Sequence, residues 1–173
     1  MKAGTFWRIV VSDESGFLDR VLALLESGDI RYCAIGGQAV NAYVDPLVSL
    51  DLDIAVAAEQ VEIAAEVLRQ AFQVERFPHS INVAESGSDL RLQIQTDERY
   101  MDFVDRSQPM EVLGRMMPVA DIADVLQGKV WAASDPARRP SKRLKDLADI
   151  ARILELRPDL SGQVPVAIRE RLF

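Results

Sequence analysis

The spacing of apolar residues switches repeatedly between the 3.6-residue period of a helix and the two-residue period of a strand. Apolar positions between residues 18 and 25 predict a first helix, with Ser12 and Asp13 as possible caps and Gly28 at its end. The other predicted elements are, in order, a strand at 31–35, a helix at 38–44, a strand at 50–56, a helix at 59–72, strands at 73–77, 81–84 and 90–95, weaker edge strands at 100–104 and 115–119, and helices at 122–133 and 143–156.

This order predicts an α+β (mixed α/β) fold in which helices flank a mixed sheet and the C-terminal third is helical. We expect residues 1–119 to form the α/β core. Residues 120–173 would form a C-terminal helical segment packed on that core. The length of 173 residues suits a single structural unit.

The composition limits the kinds of binding and catalytic site that the chain can form. The chain is 49% hydrophobic and 27% charged, and its net charge of -7 argues against a surface that binds nucleic acid throughout. Cys33 and His79 are the only residues of their types, which excludes an internal disulfide and a cysteine-rich zinc site; we interpret both as structural. Without an apolar run of about 20 residues or a signal-peptide pattern, we expect a cytoplasmic location. Catalysis would then rest on carboxylates and cations.

Two carboxylates interrupt a strongly apolar segment in Ser49-Leu50-Asp51-Leu52-Asp53. Residues two apart in a strand face the same side, so Asp51 and Asp53 should project together while the intervening apolar residues face the core. Neighbouring carboxylates repel unless one is protonated or a cation holds them, and their hard oxygens suit Mg²⁺ or Mn²⁺. The alternative is that they decorate the exposed face of an edge strand.

The glycine pair Gly36-Gly37 lies between a predicted strand and a predicted helix. Such a turn frees backbone N–H groups at a helix N-terminus, where an anionic phosphate is favoured. A glycine pair also serves in many ordinary tight connections. Only its combination with the aspartates is informative.

That combination resembles the DNA polymerase beta-like nucleotidyltransferase superfamily, and more narrowly its AbiEii/AbiGii toxin-type minimal members. Ser49, two residues before Asp51, fits the pattern, as do Lys129 and the later Lys145-Asp146-Leu147-Ala148-Asp149. The resemblance covers about residues 32–156. It implies a nucleotidyltransferase-like sheet, an NTP substrate and a divalent metal on Asp51 and Asp53. It also implies that the protein is the toxin of a toxin–antitoxin pair.

The sequence departs from the family at two places. The third carboxylate is expected on a neighbouring strand, but the strand at 90–95 offers Arg91, Gln93 and Gln95. Asp102 is a substitute only if residues 100–104 form the third strand instead; otherwise it is a solvated carboxylate. Leu47 stands where many relatives have Arg.

The C-terminal cations have two interpretations each. Lys129 lies on the apolar stripe of its helix and could reach a triphosphate or extend to water. Lys145 and Asp146 could face the nucleotide. Alternatively, the four-residue spacings of Lys142 with Asp146 and of Lys145 with Asp149 predict intrahelical ion pairs. The packing stripe of this helix is predicted at Leu144, Leu147, Ala148, Ala151 and Leu154.

A basic cluster spans the polar stretch before this helix and the first residues of the helix; it could contact phosphates of a nucleotide or RNA, or form a solvated linker. It consists of Arg138, Arg139, Lys142, Arg143 and Lys145.

The favoured hypothesis is a metal-dependent nucleotidyltransferase that moves a nucleoside monophosphate from an NTP to a hydroxyl of tRNA, another RNA or a protein. The predicted catalytic residues are Asp51, Asp53 and Asp102, and the predicted nucleotide-binding residues are Gly36, Gly37, Ser49, Lys129, Lys145 and Asp146. The alternatives are a catalytically degenerate nucleotide- or partner-binding module of the same fold, and an aspartate-based phosphatase. Ala55 argues against the phosphatase because it replaces the Thr or Val that such motifs favour.

Overall fold

The computed structural model describes residues 16–172, so the possible caps Ser12 and Asp13 lie outside the described residues. A mixed seven-stranded sheet runs through this part of the chain. Its strands are β1 (Tyr32–Ile35), β2 (Asp51–Val56), β3 (Gln73–Phe77), β4 (Ser80–Ala84), β5 (Arg91–Gln95), β6 (Gln108–Val112) and β7 (Arg115–Val119). They lie in the order β3-β4-β5-β2-β1-β7-β6.

The helices are α1 (Phe17–Ser27), α2 (Gly36–Tyr43), α3 (Val61–Arg69), α4 (Ile122–Ser134), α5 (Pro140–Leu156) and α6 (Val166–Leu172), with 3-10 segments at Ala58–Gln60, Glu98–Arg106 and Pro158–Gln163. Helix α1 packs against α3, while α2, α4 and α5 contact one another. The α+β fold with a helical C-terminal third is therefore confirmed. The boundary between residues 119 and 120 stays a prediction.

Strand β2 lies at the centre of the sheet because both of its edges are paired. It runs parallel to β5 and antiparallel to β1, with Asp53 opposite Gln93 on one side and Ile35 on the other. Leu52 and Ile54 are buried in the core, whereas Asp51 and Asp53 keep partial exposure on the opposite face. The edge-strand interpretation of the aspartates is wrong.

One predicted strand is a helix. Residues 100–104 lie in the 3-10 segment Glu98–Arg106, which Asp97 caps by accepting a hydrogen bond from the backbone N–H of Arg99. Tyr100, Phe103 and Val104 are its buried residues, and their spacing suits one face of a helix rather than of a strand.

Two further corrections concern the end of the sheet. Strand β7 is not at the edge, because it pairs with β1 as well as with β6. The strand at this edge is β6, which was not predicted from the sequence. Its apolar content is low and it contains Pro109, a residue tolerated at sheet edges.

The buried face of α5 also differs from the prediction. Leu144, expected to pack, is 67% exposed, whereas Asp146 and Asp149 are 1% exposed. The helix is rotated relative to a purely apolar stripe because both carboxylates meet buried cations, as described below.

Within residues 16–172, no helix combines the length and the apolar character needed to cross a membrane.

Candidate active site

The two aspartates of β2 line a cavity of about 150 Å³ between the sheet and helices α4 and α5. This volume suits a metal ion, its water ligands and a phosphate group rather than a whole nucleotide. Glutamines from β5 and cations from α4, α5 and the connection between them complete the polar part of the wall. The polar lining residues are Asp51, Asp53, Gln93, Gln95, Asp124, Lys129, Arg138, Lys142 and Asp146.

Gly36 begins α2 directly beside Asp53. Its φ of 66° lies in the left-handed region, and a Cβ placed on it would lie 2.4 Å from Oδ2 of Asp53. Both constraints require glycine at this position. The carboxylate therefore lies against the backbone at the first turn of a helix, where the free N–H groups favour an anion.

Ser49 and Gly37, both predicted to bind the nucleotide, lie next to each other, but neither is among the described lining residues of the cavity. A Cβ on Gly37 would lie 3.7 Å from Oγ of Ser49, and the side chain of Gln38 donates a 2.7 Å hydrogen bond to the Ser49 carbonyl. Asn41 holds the same connection by bonding both the N–H and the carbonyl of Leu47. The loop before the first aspartate is thus fixed to α2.

The negative charge of Asp53 is only partly compensated by nearby cations. Burial raises the pKa of Asp53 to about 6; Lys129 opposes this rise and Asp51 adds to it. Asp51 contacts two cations, since Oδ1 is 2.9 Å from Nη2 of Arg91 and Oδ2 is 3.7 Å from Nζ of Lys142.

The donor set fits a hard divalent cation held by two carboxylates. Gln93 is in register with Asp53 on the adjacent strand and lines the same cavity, so its amide oxygen is a neutral candidate ligand. No group of three or more His, Cys, Asp or Glu residues suited to a metal occurs between residues 16 and 172. Any further ligands would come from water, the substrate or an amide.

The expected neighbour of the aspartate strand is indeed β5, and no acid stands on its site face. Asp51, Asp53 and Ala55 are in register with Arg91, Gln93 and Gln95. Asp102 does not take the missing place, because it is exposed on the 3-10 segment and is not among the described lining residues of the cavity. Asp124 does line the cavity, but both of its oxygens accept hydrogen bonds from Arg106.

Lys129 lies in the cavity wall with its ammonium group held by carboxylates. It is 7% exposed, and Nζ lies 3.1 Å from Oδ1 of Asp146 and 2.8 Å from Oδ2 of Asp149. Burial works to lower the pKa of Lys129, but the attraction of Asp149 and Asp146 outweighs it and raises that pKa. The ammonium group of Lys129 thus does not extend to water, and it is already engaged in two ion pairs.

Two arginines complete this buried charge cluster. Nε of Arg138 lies 2.8 Å from Oδ2 of Asp146, and Nη1 of Arg152 lies 2.8 Å from Oδ1 of Asp149. Arg152 also donates to the backbone carbonyl of Asp45 after α2. The predicted Lys142–Asp146 and Lys145–Asp149 pairs are replaced by these contacts, since the helix turns both aspartates inward.

The basic cluster at the start of α5 divides into different roles. Arg138 and Lys142 line the cavity, whereas Arg143 donates to the carbonyls of Asp135, Pro136 and Arg138 and so fixes the turn between the helices. Lys145, predicted to bind the nucleotide, is not among the described lining residues. The solvated-linker interpretation therefore does not hold for Arg138 and Lys142.

Two charged residues at the site, Arg91 and Asp124, were not predicted from the sequence. Arg91 was visible as an outward residue of its strand, but only the parallel register places it opposite Asp51. Asp124 had no sequence signal beyond its position in the first turn of a helix.

The mixed sheet, the aspartate pair on a central strand and the glycine turn beside it define a nucleotidyltransferase fold. The solution structure of the antibiotic-resistance factor ANT(2'')-Ia matches with a TM-score of 0.61 at 13% identity, covering 89% of this chain and 90% of that one. The lincomycin-bound lincosamide antibiotic adenylyltransferase LnuA matches with a TM-score of 0.55 at 15% identity, covering 83% and 99%. An antigenic nucleotidyltransferase-like protein from Paracoccidioides brasiliensis matches with a TM-score of 0.51 at 15% identity, covering 84% and 78%.

The particular family follows from the sequence. Residues 38–172 match the family model described as nucleotidyl transferase AbiEii toxin, type IV toxin–antitoxin system, and the chain belongs to that family. The resemblance stated from the motifs is confirmed, although the Gly36-Gly37 pair precedes the matched segment. No curated protein matches the chain.

Proposed function

We propose that the protein transfers a nucleoside monophosphate from an NTP to a hydroxyl group of an RNA, such as tRNA, or of a protein. The observation that carries this proposal is the aspartate pair, which lies against the glycine turn and faces a cavity bordered by Arg138 and Lys142. A metal–triphosphate needs carboxylates for the ion and cations for the phosphates, and both are present on opposite walls.

Asp51 and Asp53 would hold Mg²⁺ or Mn²⁺, which would supply charge stabilisation and lower the pKa of the attacking hydroxyl. The acceptor oxygen forms a bond to the α-phosphorus of the NTP while the bond from that phosphorus to the bridging oxygen breaks. Pyrophosphate leaves and the hydroxyl proton passes to solvent.

The remaining side chains position the phosphates. Gly36, Gly37 and Ser49 would seat them at the start of α2, while Arg138 and Lys142 would neutralise the leaving pyrophosphate. Lys129 would act by its charge from within the wall, with Asp146 fixing it. Lys145 would contact only those parts of a substrate that extend beyond the cavity.

The second candidate function is that of a binding module with the same fold and no catalytic turnover, and one observation favours it. The site face of β5 carries Arg91, Gln93 and Gln95, so no carboxylate there can serve as general base. Such a module would bind NTP with metal and transfer nothing.

The deciding experiment combines binding with transfer. We would titrate each NTP with Mg²⁺ by calorimetry and then incubate the protein with each α-phosphate-labelled NTP, total RNA and cell protein. We expect binding of at least one NTP and a labelled RNA or protein product. Tight binding without a labelled product would establish the binding module and refute the enzyme.

Substitution of the metal ligands gives the largest predicted effect on activity. Asp53→Asn should lower transfer on the order of 10³-fold, because charge stabilisation in the transition state is lost. Asp89→Asn, an exposed Asp in the turn before β5, is the matched control and should retain activity. Asp102→Asn tests the sequence prediction directly. A loss similar to that of Asp53→Asn would show that the 3-10 segment supplies the third acid.

The family description also supports a toxin role with a cognate antitoxin as partner. Induced expression should arrest growth of a bacterial host, and the arrest should disappear with Asp53→Asn. Arrest that persists in this variant would disconnect toxicity from nucleotidyl transfer.

A further inference from the structure

Both carboxylate oxygens of Asp51 face cations from different elements. Arg91 of β5 approaches Oδ1 at 2.9 Å, and Lys142 of α5 approaches Oδ2 at 3.7 Å. A divalent ion needs the same oxygens. The two side chains therefore compete with the metal for one of its two protein carboxylates.

These contacts are open to exchange. The side chains of Arg91 and Lys142 are 64% and 42% exposed, and that of Asp51 is 28% exposed. Ion pairs with this much solvent access are weak and reform readily with other anions. By contrast, the carboxylates of Asp146 and Asp149 are 2% exposed, and both are held by the buried ammonium group of Lys129.

The parallel register fixes the position of Arg91. Asp51 and Arg91 are direct partners in the β2–β5 pair, and the N–H of Arg91 donates a 2.9 Å hydrogen bond to the carbonyl of Leu50. The guanidinium thus cannot move far from the aspartate by backbone motion. The side chains of Arg91 and Lys142 have enough solvent access to exchange partners, and Lys142 lines the cavity from the opposite wall.

We propose that Arg91 and Lys142 make divalent-metal binding at Asp51 and Asp53 depend on the nucleotide. Without a triphosphate the two cations neutralise Asp51 and weaken the site for a bare ion. A bound triphosphate draws both cations to its own oxygens and frees Asp51 for the metal. By linkage, metal and nucleotide then strengthen each other's binding by the same factor. This inference rests on the proposed function for the location of the nucleotide.

The test measures Mn²⁺ affinity by calorimetry or electron paramagnetic resonance, with and without α,β-methylene analogues of the four NTPs, which cannot release pyrophosphate. The variants are Arg91→Gln, Lys142→Gln and the double variant. Arg76→Gln is the matched control. Arg76 lies on the outer strand β3, is 50% exposed and pairs with Glu62 of α3 at 2.7 Å. Association of Mn²⁺ with the analogue in solution is common to all variants, so differences between variants report the protein.

Without nucleotide, each single variant should bind Mn²⁺ about two- to fivefold more tightly than the wild type, as expected for removal of one exposed ion pair. The double variant should gain about tenfold, because the two contacts use different oxygens. With the analogue bound, these gains should vanish or reverse, since the triphosphate loses its cations. Arg76→Gln should match the wild type throughout.

Equal Mn²⁺ affinities of the wild type and the double variant without nucleotide would overturn the inference. So would a gain that persists undiminished with every analogue that binds. Thermal unfolding of each variant shows whether it is folded, and an unfolded single variant is replaced by Arg91→Lys, which shortens the reach of the charge and should give a smaller gain.

Failure of the proposed function leaves a different pattern. Metal–nucleotide coupling without any labelled product refutes the enzyme and supports the inference. Labelled product together with Mn²⁺ binding that ignores Arg91 and Lys142 refutes the inference alone.

Discussion

Two pairs of aspartates in this protein are surrounded by cations, yet their environments differ. Asp51 and Asp53 lie two apart on a strand, keep partial exposure and face a cavity. Asp146 and Asp149 lie three apart on a helix, and each is 1% exposed. The partners of Asp51 are largely exposed, whereas Asp146 and Asp149 share the buried Lys129.

The difference separates a carboxylate pair that is accessible from a cavity from a pair that is enclosed by its own ion pairs. Lys129 bridges the helical pair, and its removal from water is offset only while both carboxylates remain. The strand pair instead carries a raised pKa at Asp53 and exchangeable cations at Asp51. A charge that is poorly satisfied in the free protein is available to a ligand.

Among substitutions in the two aspartate pairs, the largest decrease in the free energy of unfolding is expected at Asp149. Asp149→Ala should lower the free energy of unfolding by about 3 kcal/mol, because it leaves Lys129 and Arg152 without one of their buried partners. Chemical denaturation measures this, with Glu62→Ala as a control for an exposed ion pair that should change by less than about 1 kcal/mol. Equal effects of the two substitutions would show that the helical pair is no more structural than the surface.

The pH dependence of the free energy of unfolding should also distinguish the two aspartate pairs, with a smaller effect. The folded-state pKa of Asp53 is about 6, above its ordinary value of 3.8, so the folded protein binds the proton more tightly than the unfolded chain. Stability from this group is therefore present at low pH and is lost as pH rises from about 4 to 6. The loss should be about 2 kcal/mol, since one pKa unit corresponds to about 1.4 kcal/mol and partial exposure reduces the effect.

Denaturation curves in EDTA between pH 4 and 7 measure this loss, and Asp53→Asn is the reference because it cannot ionise. The difference in unfolding free energy between the two proteins should grow with pH in favour of Asp53→Asn. A difference that stays constant with pH would mean that Asp53 is already satisfied in the free protein.

The smallest change in the free energy of unfolding is expected for Arg138, which lies at the exposed edge of the charge cluster around Lys129. Arg138→Gln should cost about 1 kcal/mol of unfolding free energy, because Arg138 is 36% exposed and Asp146 retains Lys129. Thermal or chemical unfolding beside Asp149→Ala measures the contrast. A cost as large as that of Asp149→Ala would place Arg138 among the residues essential to the fold.

Several features were readable from the sequence because they depend on local periodicity. The alternation in β2 predicted the shared face of Asp51 and Asp53, and the glycine pair predicted the junction of a strand and a helix where α2 begins. Helix α4 was also predicted, since its apolar stripe is a local pattern; in the structure Asp121 caps it by accepting a hydrogen bond from the N–H of Ala123. The family resemblance followed from the order of these motifs.

Other features depended on pairings that no local pattern contains. The absence of an acid on β5 was visible, but the parallel register alone placed Arg91 opposite Asp51. The 3-10 segment at Glu98–Arg106 removed Asp102 from the sheet, and burial of Asp146 and Asp149 rotated α5 away from its apolar stripe. Local pattern in the sequence thus predicted Asp51, Asp53 and Gly36 as candidates for binding a metal and a phosphate, and all three line the cavity. Only the tertiary structure decided which cations face them, because charge pairing across elements outweighs the local pattern of a helix or strand.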